Sequence, residues 1–166
     1  MGNQVELKNL VKSMLNSNLI DPYPSNLTRP GINATQFYTE NDGFNISRPN
    51  SFPKGLIKIN TSPGSISSGI GRTGYVKKYG SLSIYYYVKE LQKYTENNTT
   101  YTNEDLVYLM LNKIETAILN NKISGYHIYP ENISNTSKIT KIKEGSFYLY
   151  TGYKTITYYW SEKYGE

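Results

Sequence analysis

Residues 67–91 read SSGIGRTGYVKKYGSLSIYYYVKEL, and the segment just after their glycines decides the fold. Gly69, Gly71 and Gly74 spell G-x-G-x-x-G, with Arg72, Lys77 and Lys78 adding positive charge beside them. In a dinucleotide-binding turn this spacing sits between a strand and a helix, and the helix N-terminus holds the pyrophosphate. Here the residues after Gly74 are rich in Tyr, Val and Ile, and Leu82, Ile84, Tyr86 and Val88 alternate on one face. A period of two is the mark of a strand. The chain also lacks a Gly-Lys-Ser/Thr phosphate loop. The stretch therefore reads as a flexible, basic, glycine-rich loop over 62–78 leading into the strongest strand of the chain. Glycine serves there for freedom of the backbone. The loop is expected to project from the sheet and to order against a partner through Gly69, Gly71, Arg72, Gly74, Lys77 and Lys78. No cofactor is expected.

Working outward, FPKGLIKINTS (52–62) predicts a strand through Leu56, Ile57 and Ile59, with Pro53 at its start, where a missing N–H does no harm. Before it, residues 21–51 hold four prolines, two glycines and many Asn, Ser and Thr. They read as a long loop or binding arm over 21–50, with a short strand near Thr35–Tyr38. At the start of the chain Leu7, Leu10, Val11, Met14 and Leu15 form one apolar helical stripe within 4–20.

After the central strand, TENNTTYTN (95–103) reads as a polar loop. A second amphipathic helix comes next, capped by Thr102 or Asn103, with Glu104 and Asp105 in its first turn. Leu106, Leu109, Met110, Ile114, Ala117 and Ile118 give its apolar face, and Asn120, Asn121 and Gly125 end it. Three strands are expected to close the chain: GYHIYP, KITKIKE and SFYLYTGYKTITYYW. The whole reads as one α+β domain over 1–166, an antiparallel sheet with two amphipathic helices packed on one face.

Composition narrows the chemistry. With 166 residues, 37% hydrophobic, the core must come from a few dense segments and from the rings of 18 tyrosines. The absence of cysteine excludes disulfides and thiolate metal sites. The net charge of +5 favours polyanions or acidic protein faces without proving nucleic-acid binding. No run of 18 apolar residues predicts a membrane-spanning helix. The segment MGNQVELKNLVKSML lacks the apolar block of an export signal, and Glu6 stands where myristoylation wants Ser or Thr. The expectation is a chain made in the cytoplasm and kept or assembled there. Eight Asn-x-Ser/Thr triplets begin at Asn26, Asn33, Asn45, Asn60, Asn97, Asn98, Asn132 and Asn135. They read either as glycosylation acceptors or as Asn-rich loops from an AT-rich genome.

No catalytic set emerges from the residues. Glu6 and Lys8 have the Glu-x-Lys spacing of some nucleases but lie on the first helix with no partner carboxylate. His127, the one histidine, stands among tyrosines in an expected strand. The chain is therefore not expected to be an enzyme, and no metal is expected. Tyr75, Tyr79, Tyr85, Tyr86 and Tyr87 beside Arg72, Lys77 and Lys78 leave open a small basic single-stranded nucleic-acid-binding protein, since rings beside cations stack bases and hold phosphates.

The order of segments resembles one family, the tail terminator proteins of long-tailed viruses, also called tail completion or head–tail joining proteins. The likeness runs from the helix LKNLVKSML through FPKGLIKIN, the glycine-rich loop, YGSLSIYYYV and the helix NEDLVYLMLNKIETAI to GYHIYP and SFYLYTGYKTITYYW. It covers about residues 5–20 and 52–160, is one of element order, and is broken by the 21–50 insertion. It implies a virion protein of the tail or neck: a homohexameric ring that caps the tail tube, joins it to the head connector, and lets genomic DNA through its lumen without sequence-specific contact. It implies no membrane partner and no chemistry.

Overall fold

The computed structural model describes residues 3–24, 26–30, 35–60, 64–66 and 75–163. The chain begins with α1 (Gln4–Asn18), whose N-cap Asn3 accepts the amide of Glu6 through its side chain at 2.7 Å. Of the stripe read from the sequence it buries Leu7, Val11 and Leu15; Met14 is partly buried and Leu10 is exposed, while Gln4 and Lys8 are buried beside them. Next come β1 (Phe37–Thr39), β2 (Lys54–Ile59), β3 (Gly64–Ile66) and β4 (Tyr75–Lys89). β5 (Lys93–Glu96) and β6 (Thr99–Thr102) form a separate two-stranded sheet, α2 spans Asn103–Asn120, and β7 (Thr140–Glu144) and β8 (Phe147–Lys163) close the chain.

The main sheet runs β1-β2-β4-β8-β7, with β3 also on β4. Every pair is antiparallel except β1 with β2. β4 and β8 pair continuously from Tyr75↔Lys163 to Lys89↔Leu149, the longest ladder in the molecule. Directly opposed residues share a face, and successive residues alternate. One face therefore carries Ile57 of β2, Leu82, Ile84, Tyr86 and Val88 of β4, and Ile156, Tyr158 and Trp160 of β8. These join Leu7, Val11 and Leu15 of α1 and Leu106, Met110, Leu111 and Ile114 of α2 in a single core. The fold is α+β with both helices on that face.

Local chemistry explains the tight spots. Gly55 lets the Phe37 ring lie on the sheet, because a Cβ there would stand 2.5 Å from that ring. The outer edge of β1 is closed by Asn16 of α1, which donates to the Phe37 carbonyl and accepts the Phe37 amide at 3.1 and 2.8 Å. That bidentate cap blocks an edge that would otherwise pair with another chain.

Several expectations change. Residues 95–103 are a hairpin rather than a loop: Asn97 and Asn98 take φ of 50° and 64°, as a type I′ turn requires. GYHIYP is not a strand; only His127 bridges to Tyr159, through mutual backbone hydrogen bonds of 2.8 Å. Thr102 occupies the N-cap of α2 without a side-chain bond, and Asn103 instead accepts the Leu91 amide. The segment read as a long loop or arm over 21–50 is, in its described parts, mostly irregular apart from β1, and it packs on its own domain. Arg29 is buried and donates to both carboxylate oxygens of Asp21 and to the carbonyls of Ser51 and Pro53. It thus ties Asp21 and itself to the entrance of β2.

Candidate functional site

The second face of the main sheet carries no helix among the described residues. Its outward side chains include Lys58 of β2, Lys77, Tyr79, Ser81, Ser83, Tyr85 and Tyr87 of β4, and Tyr153, Thr155, Thr157 and Tyr159 of β8. The register sorts them by size. Tyr79 faces Tyr159 with ring centroids 6.1 Å apart, and Tyr85 faces Tyr153 at 5.1 Å. Between these pairs lie Ser81 opposite Thr157, with hydroxyls 2.8 Å apart, and Ser83 opposite Thr155. The result is a trough floored by four small hydroxyl side chains and walled at each end by tyrosines. Tyr79 and Tyr153 keep 37% and 40% of their surface in solvent.

Along the trough the charge is positive, and the acids of this side stand at its ends: Glu144 of β7, opposite Phe147 and bonded by Ser47, and Glu131, in the cleft beside Lys77. No Asp or Glu stands among the outward residues of β4 from Lys77 to Lys89 or of β8 from Leu149 to Ser161. Lys58 flanks the trough beside Ser83, its ammonium 5.5 Å from the centre of the Tyr85 ring. Lys77 stands beyond the Tyr79–Tyr159 wall, opposite Ser161, and borders a cleft of about 260 Å³ with His127, Tyr129 and Glu131. Among the described residues neither lysine has an ionic partner.

The other end of this face is roofed by residues 44–53. Phe44 packs on Tyr87 at 5.3 Å and Phe52 packs on Phe147 at 6.2 Å. Beneath them Lys54 is buried, with its ammonium over the Phe44 and Phe52 rings and donating to the Asn45 carbonyl and the Ser51 hydroxyl, both at 2.7 Å. Burial, then the charges of Arg29 and Arg48, lowers its pKa to about 8. An apolar cage that charges its lysine reluctantly holds the roof in place.

The residues singled out from the sequence separate. Gly69, Gly71, Arg72 and Gly74 lie outside the described residues, so the middle of the 62–78 loop does too. Its two flanks are not loop: Gly64–Ile66 and Tyr75–Lys78 are strand, paired through Ser65↔Lys78 and Ile66↔Lys77. Alternation then sends Lys77 to the open face and Lys78 to the helix side, opposite Trp160. The tyrosines divide likewise: Tyr79, Tyr85 and Tyr87 face out, whereas Tyr86 is buried and bonded to Gln36 at 2.8 Å. Glu6 is exposed on α1 while Lys8 is buried, so the two do not converge. No group of three or more metal-ligating side chains gathers among the described residues, and no described helix is long and apolar enough to cross a membrane.

No protein-family model matches the chain, and no curated protein matches its sequence.

Two features had little signal in the sequence. Arg29 sits in a Pro/Asn-rich stretch that gives no hint of burial. Leu91 comes after β4 as an ordinary apolar residue, yet it takes φ of 67° and is 73% exposed. It lies beside Leu27 in a cleft of about 630 Å³ at the roofed end of the sheet. Only a residue rigidly held by its neighbours keeps that backbone, and here Asn103 accepts its amide while Gln92 accepts that of Lys89.

Proposed function

We propose that the chain is the tail terminator, or head–tail joining, protein of a long-tailed virus: a structural ring subunit that caps the tail tube and connects it to the head. The observation that carries this reading is the arrangement of the layers. In chain order, a helix, the strands β1 to β4, a small hairpin, a second helix and the strands β7 and β8 give one sheet, centred on the β4–β8 ladder, with both helices on one face. Among the described residues the other face carries no helix, and its tyrosines stand beside Lys58 and Lys77, which have no ionic partner there. A closed ring of identical subunits needs two different surfaces on each copy, since its interfaces are heterologous. A helix layer and an aromatic sheet face provide two such surfaces. Tyrosine is favoured at protein interfaces, where the ring buries area and the hydroxyl finds a partner.

In this reading the chain performs no reaction. Its partners are further copies of itself, the tail-tube protein and the head connector, and genomic DNA passes through the ring without base-specific contact. Its place is the neck of the virion. The test is negative-stain electron microscopy of the purified chain, alone and mixed with polymerised tail tubes of the same virus. Six-fold rings seated at tube ends are expected. A chain that stays monomeric in both samples and leaves the tube ends bare overturns the reading.

A further inference from the structure

We infer that the hydroxyl-floored trough on the open face receives the outward stripe of α2 from a second copy of this chain. The inference rests on the ring reading for the presence of a neighbouring copy, and it names the two surfaces that meet.

Shape gives the first argument. Tyr79 and Tyr85 are six residues apart along β4, about 20 Å at the usual rise of a strand. Between the tyrosine pairs the floor is serine and threonine. An α-helix is about 10–12 Å across with its side chains, so one helix fits between the walls and crosses the strands. The same trough is wider than one extended strand needs. Covering an open sheet face with helices also completes the layering that large sheets favour.

Charge gives the second argument. The stripe of α2 that points away from its own core is Glu104, Tyr108, Asn112, Thr116 and Asn120, spaced four residues apart and exposed throughout. Asp105 is exposed beside Glu104, and neither acid has an ionic partner among the described residues. The trough has the opposite character: Lys58 and Lys77 have no ionic partner among the described residues, and no outward carboxylate of β4 or β8 lies along it, Glu131 standing beyond the Tyr79–Tyr159 wall. Each acidic helix stripe thus finds its complement on the next copy and not on its own. That is the head-to-tail relation from which rings close. Within the interface the Tyr108 ring would pack against one tyrosine wall, Tyr85 with Tyr153, while Asn112 and Thr116 would bond the hydroxyl floor.

The lack of native cysteine makes the test clean. Thr157→Cys marks the trough floor and Asn112→Cys marks the middle of the α2 stripe. The two single variants, mixed at high concentration and treated with a short bismaleimide, are expected to give a cross-linked heterodimer. Neither variant alone should give comparable dimer. In parallel, Lys58→Glu with Lys77→Glu should weaken self-association about tenfold or more, as should Glu104→Lys with Asp105→Lys. Mixing these two charge-reversed chains should restore association between them, a rescue that simple misfolding cannot produce. Cross-linking without rings in the microscope supports the docking and overturns the ring. Rings without cross-linking, or rings indifferent to both charge reversals, overturn the docking and leave the ring standing. Absence of rings and cross-link together overturns both. If oligothymidylate, and not a second copy, protects Thr157→Cys from maleimide, the face belongs to single-stranded nucleic acid and the docking is overturned.

Discussion

The two faces of the β4–β8 ladder are made from the same strands, and almost the same residue types, yet they do different work. On the covered face, Tyr86, Tyr158 and Trp160 are buried under α1 and α2. On the open face, Tyr79 and Tyr153 stand in solvent around four small hydroxyls. Alternation alone separates them: a shift of one residue would exchange the faces. The contrast suggests that tyrosine is core material on one side and contact material on the other, and substitutions can pull the two roles apart.

The largest effect is expected on the covered face. Trp160→Ala should lower stability by about 3–5 kcal/mol, because it removes the largest fully buried side chain and leaves a cavity between β8 and Tyr126. Denaturant melts read it directly. Arg29→Ala should come next, at about 3 kcal/mol, since it leaves Asp21 without its cation and the Ser51 and Pro53 carbonyls without their buried donor. Arg29→Lys should recover little of this loss, because an ammonium cannot make the forked bond. Proteolysis within residues 21–50 should rise in both variants.

The roofed end of the open face responds to pH. Lys54 has its pKa lowered to about 8 by burial, then by Arg29 and Arg48, while the unfolded chain keeps the ordinary value of 10.5. Between those values the unfolded state binds more protons, so stability should rise with pH across that window. Tyr86 and Tyr158 are shifted the other way: burial raises both above the ordinary phenol value of 10.0. Their stabilisation is complete below pH 10 and is lost at higher pH, as the unfolded chain ionises first. Melting temperatures should therefore rise above pH 8 and fall steeply beyond pH 10. Lys54→Met should abolish the rise and keep the fall.

A smaller effect of opposite sign is expected at Leu91. Leu91→Gly should stabilise the chain by about 1 kcal/mol by relieving its positive φ. Denaturant melts of the free chain read this gain. Tyr153→Ala should change stability least, by under about 1 kcal/mol, yet weaken assembly. If it destabilises the free chain as much as Trp160→Ala does, the two faces are not distinct in kind.

The sequence made the covered face legible because burial writes periodicity. Leu82–Val88 and Ile156–Trp160 alternate with period two, the stripes of both helices recur at three and four residues, and together they placed the sheet and its helix layer. The β5–β6 hairpin left little trace, since each strand has four residues and only the Tyr94–Tyr101 pair packs on the core among polar neighbours, so its Asn97–Asn98 turn is its one mark. The open face was visible as composition, tyrosine beside lysine, but not as geometry. Lys77 and Lys78 are neighbours in the chain and part to opposite faces only because both are strand. Arg29 and Lys54 were unreadable for another reason: buried cations have no pattern, and their cages come from residues distant in the chain.

If the open face is where this chain meets its partners, its tyrosines must change exposure on assembly. Hydroxyl-radical footprinting of tyrosines, on the free chain and on the chain assembled at tail-tube ends, tests this directly. Tyr79, Tyr153 and Tyr159 should be oxidised in the free chain and protected on assembly, while Tyr86 and Tyr158 stay protected in both. Equal oxidation of Tyr79 and Tyr153 before and after assembly would contradict it.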